Sequence, residues 1–252
     1  MTSSSDNLLF GVHPIKERLN SNPQSIERIY LDANRRSQQN FEILKISRKK
    51  KIPTQHIPEN KLNQLARTSK HQGIVAITSV KNYVTETEVY KRVESSANPL
   101  LLVAASIEDP QNLGAIIRSS VAFGTTALLL ERRNTVPLNA TVSKASAGML
   151  EHITVCKPYN LEGMIVAFKE KGFAVVGASE AAQASLYDVD LRGPTILIMG
   201  GEHRGIPAYL QKSCSTLVSI PMAGKVQSLN VSAAASIFLY ETSRQRGFAF
   251  KD

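Results

Sequence analysis

From residue 100 to residue 220 the chain alternates short apolar runs with longer segments of helical period. The runs are 100–104, 127–130, 153–155, 174–177, 195–199 and 217–220. They are nearly continuous rather than alternating, the pattern of strands buried on both faces of a parallel sheet. Helical spacing fills the gaps at 113–123, 161–171 and 207–212. The expected fold of this half is therefore α/β with a parallel sheet. Pro221 lacks the N–H of a ladder residue, so the last strand should stop there. Residues 231–240 are small and apolar on nearly every side, which predicts a final helix buried all round. Ser228 and Asn230, just before it, are residue types suited to capping its first turn.

The first 80 residues mix short strand-like and helical patterns. Residues 8–12 open the chain as a strand, and Pro14 suits the first turn of a short helix to Leu19. Residues 26–31 alternate like a strand, 41–51 and 61–68 read as helices, and 71–77 return to strand. The polar stretch 81–98, with one or two helical turns in 86–93, reads as a linker. The expected division is a small α/β domain (1–80), the linker (81–98) and a larger domain (99–252).

Charge sharpens this division. The net charge is +9 over 252 residues. Up to Asn98 there are sixteen Lys and Arg against nine Asp and Glu, a net of +7, so the excess lies in the first part. A polyanionic partner, nucleic acid or an anionic membrane surface, fits that balance. Against it, Arg48, Lys49, Lys50 and Lys51 also suit a solvated helix C-terminus with no ligand. No apolar stretch reaches the roughly 18 residues of a membrane span, and the first residues lack the build of a signal peptide. Cys156 and Cys214 have no metal-ligand spacing, and two free thiols in a cytosolic protein is the simple reading. No metal site is expected.

The Gly-rich turn falls at Gly200-Gly201, after the fifth apolar run, and the first run is followed by no G-x-G-x-x-G. The site is therefore not a standard dinucleotide site. Asn112 is placed to cap a helix starting near Leu113. Arg118 sits among Ala115, Ile116, Ile117 and Val121, and a buried Arg needs an anion. Phosphate or carboxylate suits its planar fork, and Glu202 is the internal candidate.

Three stretches carry a family resemblance: Asp109-Pro110-Gln111-Asn112-Leu113-Gly114-Ala115-Ile116-Ile117-Arg118, residues 196–206 around Gly200-Gly201-Glu202-His203-Arg204-Gly205, and residues 220–232. In this order they resemble the three motifs of the SpoU (TrmH) family of RNA ribose 2′-O-methyltransferases. The match rests on Asn112 and Arg118, on Gly200, Glu202 and Gly205, and on Ile220, Pro221, Gly224, Ser228, Leu229, Asn230 and Ser232. The resemblance implies a SPOUT fold whose parallel sheet ends in a C-terminal trefoil knot, a topology that ordinary connection rules make rare. It implies S-adenosylmethionine as cofactor, held by backbone groups of Gly200, Ile220 and Leu229. Catalytic roles follow for Asn112, Arg118, Glu202, Ser228 and Asn230, and two-fold dimers are implied as the assembly. Phe10-Gly11-Val12-His13-Pro14 and His71-Gln72-Gly73-Ile74-Val75-Ala76 resemble the family's small substrate-binding domain, itself similar to a ribosomal protein fold.

The layout is most like the branch acting on a guanosine of 23S rRNA. A transfer-RNA enzyme and an inert RNA-binding homologue are the alternatives. Other residues keep two readings. His203-Arg204 faces RNA phosphate or solvent. The stretch 139–148, with Lys144, Ser146 and Gly148, is a nucleotide-facing loop or a plain helix start.

Overall fold

The computed structural model describes residues 8–248 except Arg36, His203 and 225–227. The chain divides into two compact units, residues up to Asn82 with 137–140, and 83–136 with the remainder.

The first unit runs β1 (Leu8–Phe10), α1 (Val12–Ser21), β2 (Ile26–Asp32), α2 (Gln38–Lys49), β3 (Thr54–Ile57), α3 (Glu59–Ala66) and β4 (Ile74–Thr78). Its sheet has the order β1-β4-β2-β3, with only the β2–β3 pair parallel. Ile15, Leu19, Ile29, Ile43 and Ile74 form its main core. The two stretches resembling a substrate-binding domain bond to each other. Gln72 Oε1 accepts from Val12 N at 2.9 Å, and Gly11 N donates to Ile74 O at 3.3 Å. Buried His71 accepts from Gly73 N through Nδ1 at 3.0 Å, which leaves Nε2 to donate to Asn63 Oδ1 at 2.9 Å. These residues build the turn into β4, so their side chains are structural.

The second unit runs α4 (Glu86–Glu94), β5 (Leu100–Ala105), α5 (Pro110–Ala122), β6 (Ala127–Leu130), α6 (Ala140–Ala145), β7 (Val155–Cys156), α7 (Leu161–Glu170), β8 (Ala174–Ala178), β9 (Ala184–Ser185), β10 (Thr195–Gly200), α8 (Ala208–Ser213), β11 (Thr216–Ser219) and α9 (Val231–Gln245). Seven strands form one sheet in the order β7-β6-β5-β10-β8-β11-β9, and every pair is parallel. The central strands β5 and β10 are buried almost throughout, as their unbroken apolar runs require. On one face, Leu101, Val103, Ile196 and Ile198 meet Leu161, Ile165 and Phe168 of α7, with Val89 and Val93 of α4 in the same cluster. Thr85 caps α4 by accepting from Glu88 N. Phe168 stacks at 4.8 Å from Tyr90 and 5.0 Å from Phe173. Elsewhere α5 packs on α9, and α9 touches β10.

Two expectations are corrected here. Asn112 does not cap α5. Asp109 does, accepting from Gln111 N at 2.9 Å, with Pro110 in the first turn. Pro is preorganised for that position, so the helix starts three residues early and Asn112 lies inside it. Nor is α9 buried all round. Ala233, Ile237 and Tyr240 form an exposed stripe at spacings of four and three. The chain alone covers the faces turned to α5, β10 and residues 186–191 and leaves this stripe open.

Candidate active site

In a parallel sheet, ligands sit beyond the carboxyl ends of the strands. Here the ends of β5, β6, β10 and β11 lead into the loops that carry the candidate residues. The turn after β10 is tight. Gly205 N donates to Gly201 O at 2.8 Å, closing the loop 201–205. A Cβ on Gly200 would collide with the backbone of Gly205 and Ile206, and one on Gly201 with the carbonyl of Ser106. Both positions need glycine because backbone passes backbone there. Gly200→Ala is expected to cost about 1–3 kcal/mol of stability, since no rotamer relieves the overlap. Cofactor affinity by calorimetry should fall with it; a variant of unchanged melting temperature and affinity would contradict this reading.

The loop presents Glu202. Its Oε1 accepts from Asn112 Nδ2 at 2.6 Å and from Asn230 Nδ2 at 2.8 Å. Asn230 Nδ2 also reaches Asn112 Oδ1 at 3.0 Å. Asn230 is the N-cap of α9, and its Oδ1 accepts from Ser232 N at 2.9 Å and Ser232 Oγ at 2.6 Å. That cap fixes which end of the amide faces the helix, so Nδ2 must point at Glu202. Three residues from three motifs, 90 and 118 positions apart from Asn112, thus form one cluster. Asn112 is buried, whereas Glu202 and Asn230 are exposed.

A cavity of about 490 Å3 opens beside this cluster. Gly200, Glu202, Ile220, Ser228, Leu229 and Asn230 all line it. Its size suits a cofactor of several rings, which fits S-adenosylmethionine. A smaller cavity of about 130 Å3 lies on the Asn112 side of Glu202, lined also by Ser106, Asp109 and Arg204. Gly201, Glu202, Arg204 and Val231 line both.

Arg118 is not gathered with the rest. It is exposed on α5, lines neither cavity, and has no bonded partner among the described residues. The expectation of a buried guanidinium paired to Glu202 is therefore overturned: Glu202 is taken by the two amides. Arg118 lies six residues from Asn112, about 9 Å along the helix and well around it. Arg204 is also exposed, and His203 lies outside the described residues. Ser146 is buried, donating to Ser143 O and accepting from Leu150 N; it closes the end of α6, whereas the helix start expected in this stretch falls at Ala140.

Sequence reasoning missed Glu131, Ser106 and Tyr209, which form a hydrogen-bonded group behind the loop. A lone Glu after an apolar run gives no signal of its own. Neither thiol is a nucleophile. Burial pushes Cys156 up to about 12 and Cys214 up to about 11, so both stay protonated near neutral pH. Among the described residues no group of three His, Cys, Asp or Glu could hold a metal ion.

The SpoU rRNA Methylase family matches residues 99–240, and the family described as RNA 2′-O ribose methyltransferase substrate binding matches residues 8–84. The chain is 36% identical over 244 residues to 23S rRNA (guanosine-2′-O-)-methyltransferase RlmB of Ralstonia nicotianae, covering 96% of this chain and 97% of that one. It is also 36% identical over 243 residues to an uncharacterized tRNA/rRNA methyltransferase of Synechocystis, covering 96% of this chain but 63% of that longer protein. The crystal structure of the SpoU methyltransferase AviRb from Streptomyces viridochromogenes, in complex with AdoMet, superposes with a TM-score of 0.60 at 23% identity, covering 96% and 91% of the two chains. That last likeness is one of fold. With both regions matched and full-length relatives above 30% identity, the chain belongs to the SpoU rRNA methylase family.

Proposed function

We propose that this protein transfers a methyl group from S-adenosylmethionine to the ribose 2′-hydroxyl of a guanosine in 23S rRNA. The observation that carries the reading is the Asn112–Glu202–Asn230 cluster, whose Glu202 and Asn230 line the 490 Å3 cavity while Asn112 lines the smaller cavity beside it. Bound S-adenosylmethionine supplies an electrophilic methyl group. Backbone groups of Gly200, Ile220 and Leu229 hold it in the larger cavity. Asn230 and Ser228 orient the ribose from the larger cavity and Asn112 from the smaller one, and Glu202, on the wall between them, fixes the two amides. Such positioning is the main contribution a protein makes to an in-line transfer. Arg118 contributes its charge from outside the single-chain site. The guanosine of 23S rRNA is favoured by the near full-length likeness to RlmB.

The test is methylation of 23S rRNA and of transfer RNA transcripts with labelled cofactor, the site mapped by mass spectrometry of nuclease fragments. A 2′-O-methylguanosine in 23S rRNA is expected. Methylation of transfer RNA alone would move the substrate to the other arm of the family, and cofactor binding without methylation would indicate an inert homologue.

The first unit is the RNA-holding module, located with its substrate in the cytoplasm. On α2, Phe41, Lys45 and Arg48 stand exposed at spacings of four and three, with Lys49 beside them. Phosphate contacts are read by salt, whereas an aromatic face stacks on bases with little salt dependence. Replacing Arg48 and Lys49 by Ala should flatten the slope of log affinity against log salt by about 1–2, one unit per lost phosphate contact. An unchanged slope would place the contacts elsewhere.

We infer a two-fold homodimer as well. Two neighbouring helices leave small or apolar positions open to water: half-buried Ala115 and exposed Ala122 flank Arg118 on α5, and Ala233, Ile237 and Tyr240 lie exposed on α9. Ser119 and Ser236 join the helices at 2.7 Å. A second copy covering this face would bury the stripes and bring Arg118 to the interface. Light scattering that finds only single chains at micromolar concentration would refute it. The trefoil knot is part of the same proposal, supported by the packing of α9 on α5.

A further inference from the structure

Three adjacent parallel strands, β6, β5 and β10, are followed directly by Glu131, Ser106 and Gly201-Glu202 respectively. Glu131 is only 8% exposed. Its Oε2 accepts from Ser106 N at 3.0 Å and from Ser106 Oγ at 3.1 Å. Its Oε1 accepts from Tyr209 OH at 2.7 Å. Among the described residues no cation is bonded to it, since neighbouring Arg132 donates to Pro158 O and lies over the Tyr159 ring. A carboxylate removed from water is costly unless its oxygens are satisfied, and here three donors satisfy them.

What those donors hold is informative. Ser106 has φ +56°, a conformation that non-glycine residues seldom adopt and that surrounding contacts must maintain. In that conformation its carbonyl packs against Gly201 so closely that no Cβ fits. Ser106 is thus the floor beneath the residue preceding Glu202. Tyr209 lies in the first turn of α8, immediately after the same loop. One carboxylate therefore ties the floor of the 201–206 loop to its exit.

We propose that Glu131, with Ser106 and Tyr209, is a positioning group for Glu202: a clamp that fixes the loop so that Oε1 meets both Asn112 and Asn230. The proposal rests on the methyltransferase reading for its effect on rate, but not for its effect on the loop. Burial, and then the Glu131 carboxylate, push the Tyr209 phenol up, so it remains the donor across the working pH range.

The test uses the full chain carrying Tyr209→Phe or Glu131→Gln. Backbone hydrogen exchange over 201–206 is followed by mass spectrometry, alongside melting temperature, cofactor affinity and single-turnover methylation. In Tyr209→Phe, exchange in that loop should rise about fivefold, the equivalent of one lost hydrogen bond. The methylation rate should fall about ten- to a hundredfold through misplacement, with the KM for RNA unchanged. Glu131→Gln should fall between wild type and Tyr209→Phe, because its carbonyl still accepts from Ser106 and its amide can donate to the phenol oxygen. Wild-type exchange in both variants would overturn the clamp. Faster loop exchange with an unchanged rate would overturn its positioning role, and so would exchange that rises across the whole domain with a lowered melting temperature. If wild type itself methylates no RNA, the functional reading fails, and the loop exchange still decides whether the clamp exists.

Discussion

Glu202→Ala is expected to lower single-turnover methylation by about 10²- to 10³-fold, the range found when one preorganised polar group is removed from a reaction centre. Both amide nitrogens of the cluster converge on a single oxygen, Oε1 of Glu202. Without it, Asn112 keeps a buried donor with no acceptor, which costs about 1–3 kcal/mol and turns the amide to seek another partner. Asn230 is held from its other end by the cap on α9 and should stay near its place. The variant should therefore fold and bind cofactor within a few-fold of wild type. Glu202→Gln separates acceptor from charge: its carbonyl can take both amides, so recovery of most of the rate would assign Glu202 an orienting role. Little recovery would mean that the negative charge itself acts on the reaction. A Glu202→Ala enzyme working at wild-type speed would remove the cluster from the mechanism.

Arg118→Ala should also lose about 10²- to 10³-fold in rate, by a different physical route. Its side chain is exposed and bonded to nothing described, so truncation should change stability by no more than about 0.5 kcal/mol. The loss is then chemical rather than structural. One role open to this residue is removal of the 2′-hydroxyl proton. Guanidinium groups do not give up their proton readily in proteins, so a cation that stabilises the developing alkoxide is the better role. Arg118→Lys distinguishes the two: a cation should restore part of the rate, limited by the lost bidentate fork. A geometry-locked base should not be rescued in this way. Rates measured across pH, with cofactor affinity in parallel, decide it. Near wild-type methylation by Arg118→Ala would show that the centre lies elsewhere.

What could be read in the chain follows from where side chains are buried. The run 127–130 was legible as β6 with its bounds, because a strand covered on both faces is apolar at every position. Strand β3 was not, because Thr54-Gln55-His56 forms a sheet edge that is largely open to water and carries no such run. The start of α5 was misplaced by three residues because two good caps, Asp109 and Asn112, compete, and only Pro110 arbitrates. Arg118 shows the limit of periodicity: apolar neighbours suggested burial, yet the helix turns this position outward. The Asn112–Glu202–Asn230 cluster was legible only through the ordered motifs, since no spacing rule joins residues 90 and 118 positions apart. Glu131 was invisible, because the group it serves assembles from three strand ends far apart in sequence.

Position 230 has two employers. A helix cap asks for an oxygen, and Ser, Thr, Asp and Asn all provide one. The cluster with Glu202 asks for an N–H donor aimed the opposite way. Of the four good caps only Asn carries both on one planar group, and Asp would add a second negative charge beside Glu202. The sequence space open at this position is thus a single residue, although each demand alone would admit several. Drift at the start of α9 cannot be separated from drift in the chemistry, and a chain that lost the donor there could remain well folded with its reaction centre silent.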